Sequence, residues 1–324
     1  MGLSIVNYTK NGGTGSLWGV LRDDGVYPLE GEFPSHHALI DSYFASRDDF
    51  TQRIGDTPQA LDAVQFNSPV SENVQLYCQG LNYADHRGES GASDEGDEEN
   101  LIFMKAASSI CAPNADILRP RGCELLDYEV ELALVLKKGI PDPVCIDAAG
   151  LQEYVGGLVL CNDVSARDLM FGSPMLQWFR GKSQRTFCPM GPVLYLMDEA
   201  DFRYLNDLQL TLKWNGTVKQ SASTELLIHK PAETLTEIST FAAMHAGDCL
   251  LTGTPGGVLA GANLKVALSI LLNFTNDEKR RKKFTQAQLA RTRFLEPGDV
   301  LELSIKSSDG AIDLGCQRNL IADA

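Results

Sequence analysis

A chain of 324 residues, 44% hydrophobic and 22% charged, is a globular protein long enough for one large domain or a domain with a smaller companion. With 28 Lys and Arg against 43 Asp and Glu, its formal net charge is −15, which argues against a nucleic-acid partner because such affinity comes largely from clustered cations. The N-terminus has no basic start followed by an apolar run, and the longest apolar stretch, "LKVALSILLNF", is too short for a bilayer, so no membrane partner is expected.

Eight cysteines without a Cys-x-x-Cys pair read as reduced, mostly buried thiols of a cytoplasmic protein. Residues 1–72 alternate short apolar runs with turn signals, and "LWGVLRDDGVYPLEG" predicts a hairpin around Asp24-Gly25. Within 34–54, Leu39, Ile40, Tyr43 and Phe44 fall on one helical face. These 72 residues are expected to form a small N-terminal α+β cap. Beyond them aliphatic strands punctuated by Gly and Pro dominate, with few helices before residue 263, so 73–324 is expected as a mostly β body. The acidic run "SDEGDEEN", 93–100, reads as a mobile surface loop. His36-His37 and His229-Lys230 read as surface turn residues and His245 as structural.

The stretch "LLDYEVELALVL", 125–136, reads as a buried strand, yet Glu129 and Glu131 share one of its faces. An isolated Glu-x-Glu is ordinarily a solvated edge. Here the apolar residues after Leu132 do not alternate, which predicts a strand covered on both faces, and buried paired carboxylates need a cation. A hard divalent ion, Mg²⁺ or Mn²⁺ with Ca²⁺ as a further candidate, suits carboxylate oxygen. A third ligand is offered by "YVGGLVLCNDVSARDLM", whose strand ends at Asn162-Asp163 and brings Arg167 nearby; alone, Asn-Asp after a strand is an ordinary turn.

Lys182 lies in a polar segment before a strand, as a solvated lysine or a pocket cation. The Gly-rich turn "TGTPGGV" lacks the Lys-Ser/Thr ending of a phosphate-binding loop, so Thr254 and the turn amides are read as facing a carboxylate. His86 and Glu89, three apart in "GLNYADHRGES", come together on one helical turn, where the carboxylate would orient a general base. The ordinary alternative is a loop histidine beside a glutamate.

Together, in this order, these motifs resemble those of the fumarylacetoacetate hydrolase family, from about Gly80 to the closing stretches "FLEPGDVLELSI" and "LGCQRNLIAD". The resemblance implies a mixed β-sheet roll, α+β and mostly β, usually a homodimer. It implies Glu129, Glu131 and Asp163 as metal ligands, His86 and Glu89 as a catalytic lid dyad, Lys182 as the active-site lysine, and Lys105, Arg167 and Thr254 as substrate-binding residues. The implied substrate is a small 2-oxo or 2,4-dioxo acid. Cleavage of a carbon–carbon bond would leave an enolate stabilised by the metal and Lys182, with His86 activating water.

Four features depart from the family pattern. Met170 stands where an amide is common, favouring a less polar substrate tail; Arg185 replaces an acidic residue; and Ala106 replaces a frequent Pro. An insert at about 261–293 predicts an amphipathic helix that packs on the body or on a second subunit, with a membrane-surface helix as the alternative that the acidic overall charge disfavours. The leading expectation is a divalent-metal-dependent hydrolase of an acylpyruvate-like acid. Decarboxylase, isomerase or hydratase chemistry on the same scaffold is the alternative, and a non-catalytic metal-binding scaffold a third. Cys161 and Cys188 read as core.

Overall fold

A computed structural model of the chain describes residues 1–90, 99–171, 176–261 and 277–324. Among them the dominant element is an eleven-stranded mixed sheet. Its order runs Gly25–Pro28, Leu17–Arg22, Leu3–Lys10, Cys188–Leu196, Val155–Asn162, Val130–Leu136, Cys249–Leu251, Leu76–Gly80 and Leu101–Lys105, with Val64–Asn67 and Ile110–Cys111 paired off this path. A five-stranded sheet follows the order Thr217–Ser223, Leu208–Trp214, Val300–Ser307, Asp313–Asp323 and Ile117–Arg119.

Each side of the central strand Val130–Leu136 meets its own core. Leu132 and Leu134 join Leu210, Leu212, Leu303 and Ile305 of the five-stranded sheet. Ala133 and Val135 join Leu39, Ile40, Tyr43 and Phe50 of the N-terminal helices. This double cover explains why the strand lacks alternation. Leu208–Trp214, by contrast, buries Leu208, Leu210 and Leu212 and exposes Gln209 and Lys213, as a sheet with one wet face requires.

The hairpin forms as expected, Arg22 pairing with Gly25. Gly25 has φ +146, and a Cβ there would meet Gln59 O at 2.5 Å. The first 72 residues contribute strands to the large sheet, Leu3–Lys10 pairing with Cys188–Leu196. The helix expected in 34–54 is two helices, His36–Ala45 and Arg47–Thr51. They break at Ser46, whose hydroxyl accepts from Asp49 N at 3.3 Å as an N-cap. Phe44 leaves the apolar face and is exposed, with the Lys137 ammonium 4.2 Å from its ring centroid.

His36, expected at the surface, is buried, and its Nε2 lies 2.9 Å from Gly247 O. A helix at Pro231–Ser239 went unread. Its Pro start and the buried Ala232, Leu235 and Ile238 are ordinary helix signals, overshadowed by the surrounding β texture. Of the insert, Asp277–Leu289 is a helix that buries Phe284 and Gln288. Its Phe284 ring lies 5.7 Å from that of Phe171, so it packs on the body. The apolar "LKVALSILLNF" lies outside the described residues, as does most of the acidic 93–100 run. All eight cysteines are free, and Cys161 and Cys188 are wholly buried. No helix among the described residues is long and apolar enough to cross a membrane.

Candidate metal centre and its cleft

Val155–Asn162 pairs with the central strand so that Asn162 stands opposite Val130, and the chain then emerges beside the glutamates. Asp163 N donates to Glu129 O at 2.8 Å and Glu129 N donates to Asn162 Oδ1 at 3.0 Å. One carboxylate oxygen from each of Glu129, Glu131 and Asp163 lies within 4.8 Å of the others. All three residues are buried.

Buried carboxylates persist only with compensation, and two of the three have it. The Lys182 ammonium donates to Glu129 Oε2 and Asp163 Oδ2, both at 2.6 Å. Arg167 donates through Nη2 to Glu129 and through Nε to Asp127 Oδ2 at 2.9 Å. Burial alone would raise the Glu129 pKa, but Lys182 and Arg167 outweigh it and hold the carboxyl at about 2. Burial likewise works against the Lys182 charge, and Asp163 and Glu129 more than restore it.

Among the described residues Glu131 forms no ion pair with a side-chain cation. Gly253 N donates to its Oε2 at 2.9 Å, while Oε1 has no hydrogen-bond partner among the described residues. Burial, then the neighbouring Asp163 and Glu129 charges, push its carboxyl well above the usual range. A buried, unpartnered carboxylate oxygen beside two other carboxylates is what a divalent cation would satisfy. The all-oxygen donor set suits Mg²⁺, Mn²⁺ or Ca²⁺, so the residues fit such an ion.

The other expected site residues are distributed unevenly. His86 and Glu89 lie on the short helix Ala84–Ser90. His86 is buried and lines a cleft together with Glu129, Arg167, Lys182 and Thr254. Its Nδ1 is 3.6 Å from Glu89 Oε2, an ion-pair separation rather than a hydrogen bond. The Glu89 carboxylate instead accepts from Gly257 N at 2.9 and 3.1 Å.

Lys105 does not line the cleft. It lies behind Asp163, donating to Asp163 Oδ1 at 2.7 Å, to Val164 O at 3.3 Å and to Lys182 O, which uses all three of its donors. Thr254 lines the cleft, but its hydroxyl donates to Val130 O at 3.0 Å. Arg185 is exposed and outside the cleft lining, whereas Met170 is wholly buried and lines it.

Two site residues escaped the sequence reading. Asp127 continues the 129/131 alternation; besides binding Arg167, it accepts from Leu259 N at 3.0 Å and Ala260 N at 3.1 Å, tying the Gly-rich turn to the carboxylate strand. Its period-two spacing was a usable signal. Gln220 carried none, being a buried residue in the otherwise exposed or half-buried strand Thr217–Ser223. Its Oε1 accepts from Val130 N at 3.0 Å, and its Nε2 donates to Thr254 Oγ1 and Pro255 O, both at 2.8 Å. Gln220→Leu should leave these buried groups unsatisfied and destabilise the fold by about 2–4 kcal/mol. Denaturant unfolding checks this, and a change under about 0.5 kcal/mol would show the amide to be dispensable.

Known proteins resemble this chain in sequence and in fold. A family model described as the C-terminal domain of fumarylacetoacetate hydrolase matches residues 75–322. A Bos taurus protein named oxaloacetate tautomerase, mitochondrial, is 38% identical over 196 residues, 60% of this chain and 60% of that protein. The chain thus spans under two thirds of that relative's length. A Mycobacterium tuberculosis protein, Rv2993c, is 36% identical over 226 residues, 69% of this chain and 82% of the other. Among solved structures, a probable 2-hydroxyhepta-2,4-diene-1,7-dioate isomerase from Mycobacterium abscessus superposes with TM-score 0.72 at 30% identity, over 100% of this chain and 99% of that one. A fumarylacetoacetate hydrolase from Exiguobacterium antarcticum does so with TM-score 0.74 at 28% identity, over 99% and 100%.

Proposed function

Because the chain belongs to the fumarylacetoacetate hydrolase family, we propose that it is a divalent-metal-dependent enzyme that moves a proton at the carbon beside the 2-oxo group of a small 2-oxo acid. The observation that carries this reading is Glu131, whose Oε1 is buried without a partner among the described residues beside two further carboxylates, one of which, Glu129, lines a cleft that also holds a histidine. A scaffold protein has no physical need for so costly a cluster.

A divalent cation held by Glu129, Glu131 and Asp163 would polarise the 2-oxo group and acidify the adjacent C–H. The remaining roles belong to side chains. Lys182 and Arg167 place positive charge where the substrate's carboxylate and developing oxyanion would sit. With Nδ1 of His86 turned toward Glu89, Nε2 is left to take the proton and return it. The 3.6 Å gap would tighten on substrate binding, as catalytic hydrogen bonds commonly do. Carbon–carbon hydrolysis, the leading expectation from the sequence, starts with the same polarisation but also needs a water at the distal carbonyl. The relatives named as a tautomerase and an isomerase favour the reading without that water.

His86→Asn should lower turnover by about 10²–10⁴-fold while the protein still gains thermal stability from Mg²⁺. Enol absorbance and pyruvate release, followed side by side on a 2,4-dioxo acid, separate tautomerisation from hydrolysis. Undiminished turnover in the variant would remove His86 from the chemistry.

A further inference from the structure

The charged and apolar parts of the cleft meet at Lys182, whose ammonium lies 5.3 Å from the Phe103 ring centroid. From there four aromatic rings continue in sequence. Phe103 and Trp178 have centroids 5.0 Å apart, Trp178 and Phe171 6.2 Å, and Phe171 and Phe284 5.7 Å. All four rings line the cleft with Met170, and Phe284 comes from the insert helix.

We propose, resting on the reading above, that this wall is the subsite for the substrate's distal group, and that this group is an aryl or other bulky apolar substituent rather than a second carboxylate.

The polar inventory of the described lining supports that choice. Arg167 and Lys182 are committed at the carboxylate end. The Gln79 amide nitrogen donates to Asn100 and Thr234, so both of its donors are already used. Gln288 is closed on Gly261 at both ends, accepting from its N at 3.3 Å and donating to its O at 2.8 Å. The Thr254 hydroxyl donates to Val130 O. None of these three side chains offers a donor to a distal carboxylate. Burying one without a partner is costly, whereas a ring against aromatic walls gains both area and stacking. The cavity, about 280 Å³, exceeds the roughly 150 Å³ in which an apolar protein cavity takes benzene.

The nearest candidates to rescue a dicarboxylate lie off the lining. Arg291 donates to Gln288 Oε1 at 3.2 Å and lies against Gly261, and Arg280 is wholly buried one turn before Phe284.

Calorimetric titration of the Mg²⁺-loaded protein with 2-oxo-4-phenylbutanoate, 2-oxoadipate and pyruvate tests the proposal. The phenyl compound should bind at least tenfold tighter than 2-oxoadipate, and Trp178→Ala, at a half-buried position, should narrow that ratio to within about threefold. Equal or tighter binding of 2-oxoadipate overturns the proposal, and its loss in Arg291→Ala or Arg280→Met would identify the cation responsible. If pyruvate and both longer acids fail to bind while Mg²⁺ does, the 2-oxo acid reading fails and this inference with it.

Discussion

Glu131→Gln is expected to abolish turnover and, in the absence of metal, to make the protein more stable at alkaline pH. The two effects have one origin. In the folded protein burial and the Asp163 and Glu129 charges raise the Glu131 pKa well above 4.5, the value it regains on unfolding. Below about pH 4.5 both states hold the proton and the group contributes nothing to the pH dependence. As pH rises the unfolded chain releases the proton first, so unfolding is favoured by about 1.4 kcal/mol per pH unit until the folded carboxyl titrates. Glutamine has the same shape without this liability.

The same substitution removes a metal ligand. In the wild type, Mg²⁺ at about 100 times its dissociation constant should stabilise the fold by about 2.7 kcal/mol, a rise of about 4 °C in Tm for a chain of this size. Glu131→Gln should show little of that rise. Loss of several kcal/mol of electrostatic stabilisation of the transition state corresponds to about 10³-fold or more in turnover. Thermal melts at pH 6 and 8, with Mg²⁺ and with chelator, read all of this. A variant that is less stable than wild type at pH 8 without metal, yet keeps the Mg²⁺ shift, would contradict the assignment.

Lys182→Met is expected to act in the opposite direction on the metal-free protein. The ammonium is buried and bridges Glu129 and Asp163, so its loss strands both carboxylates. Breaking a buried pair from one side costs about 3–5 kcal/mol, or about 4–7 °C in Tm. The Lys182 pKa is raised in the folded state, so its contribution is complete below about pH 10.5 and is lost only as pH climbs through the folded value. The lysine's own titration therefore adds no slope between pH 6 and 9, and any slope in the variant's loss over that range reports the stranded Glu129 carboxylate, on which burial acts upward once Lys182 is gone. Mg²⁺ should recover part of the loss, because a divalent ion can neutralise the same oxygens, but turnover should stay at least about 10²-fold down. A melt unchanged from wild type would mean that the bridge carries no net stability.

How much of this was legible in the sequence depended on the range of the pattern. Glu129 and Glu131 announce themselves by period-two spacing in a strand without alternation, and Asp163 follows because its strand ends beside them. The hairpin at Gly25 followed from local turn chemistry. Lys105 was different: its spacing could not reveal that its donors point to Asp163 and two backbone carbonyls, a geometry created by residues 58 to 77 positions away. Gln220 and His36 were illegible for the same reason, their partners lying on a distant strand and distant turns. The aromatic wall joins four rings from four separate segments, which local periodicity cannot assemble. Met170 alone hinted at its apolar character.

In the proposed reaction a divalent ion on Glu129, Glu131 and Asp163 would activate the carbon beside a 2-oxo group. Proton NMR in D₂O of 2-oxo-4-phenylbutanoate with catalytic protein tests it most directly, because exchange at C3 precedes tautomerisation and needs no prior choice of product. C3 deuteration above the buffer rate is expected with Mg²⁺, stopped by chelator and absent in Glu131→Gln. Exchange that persists in chelator, or fails to exceed the buffer rate with Mg²⁺ although calorimetry shows the acid bound, would contradict the proposed reaction.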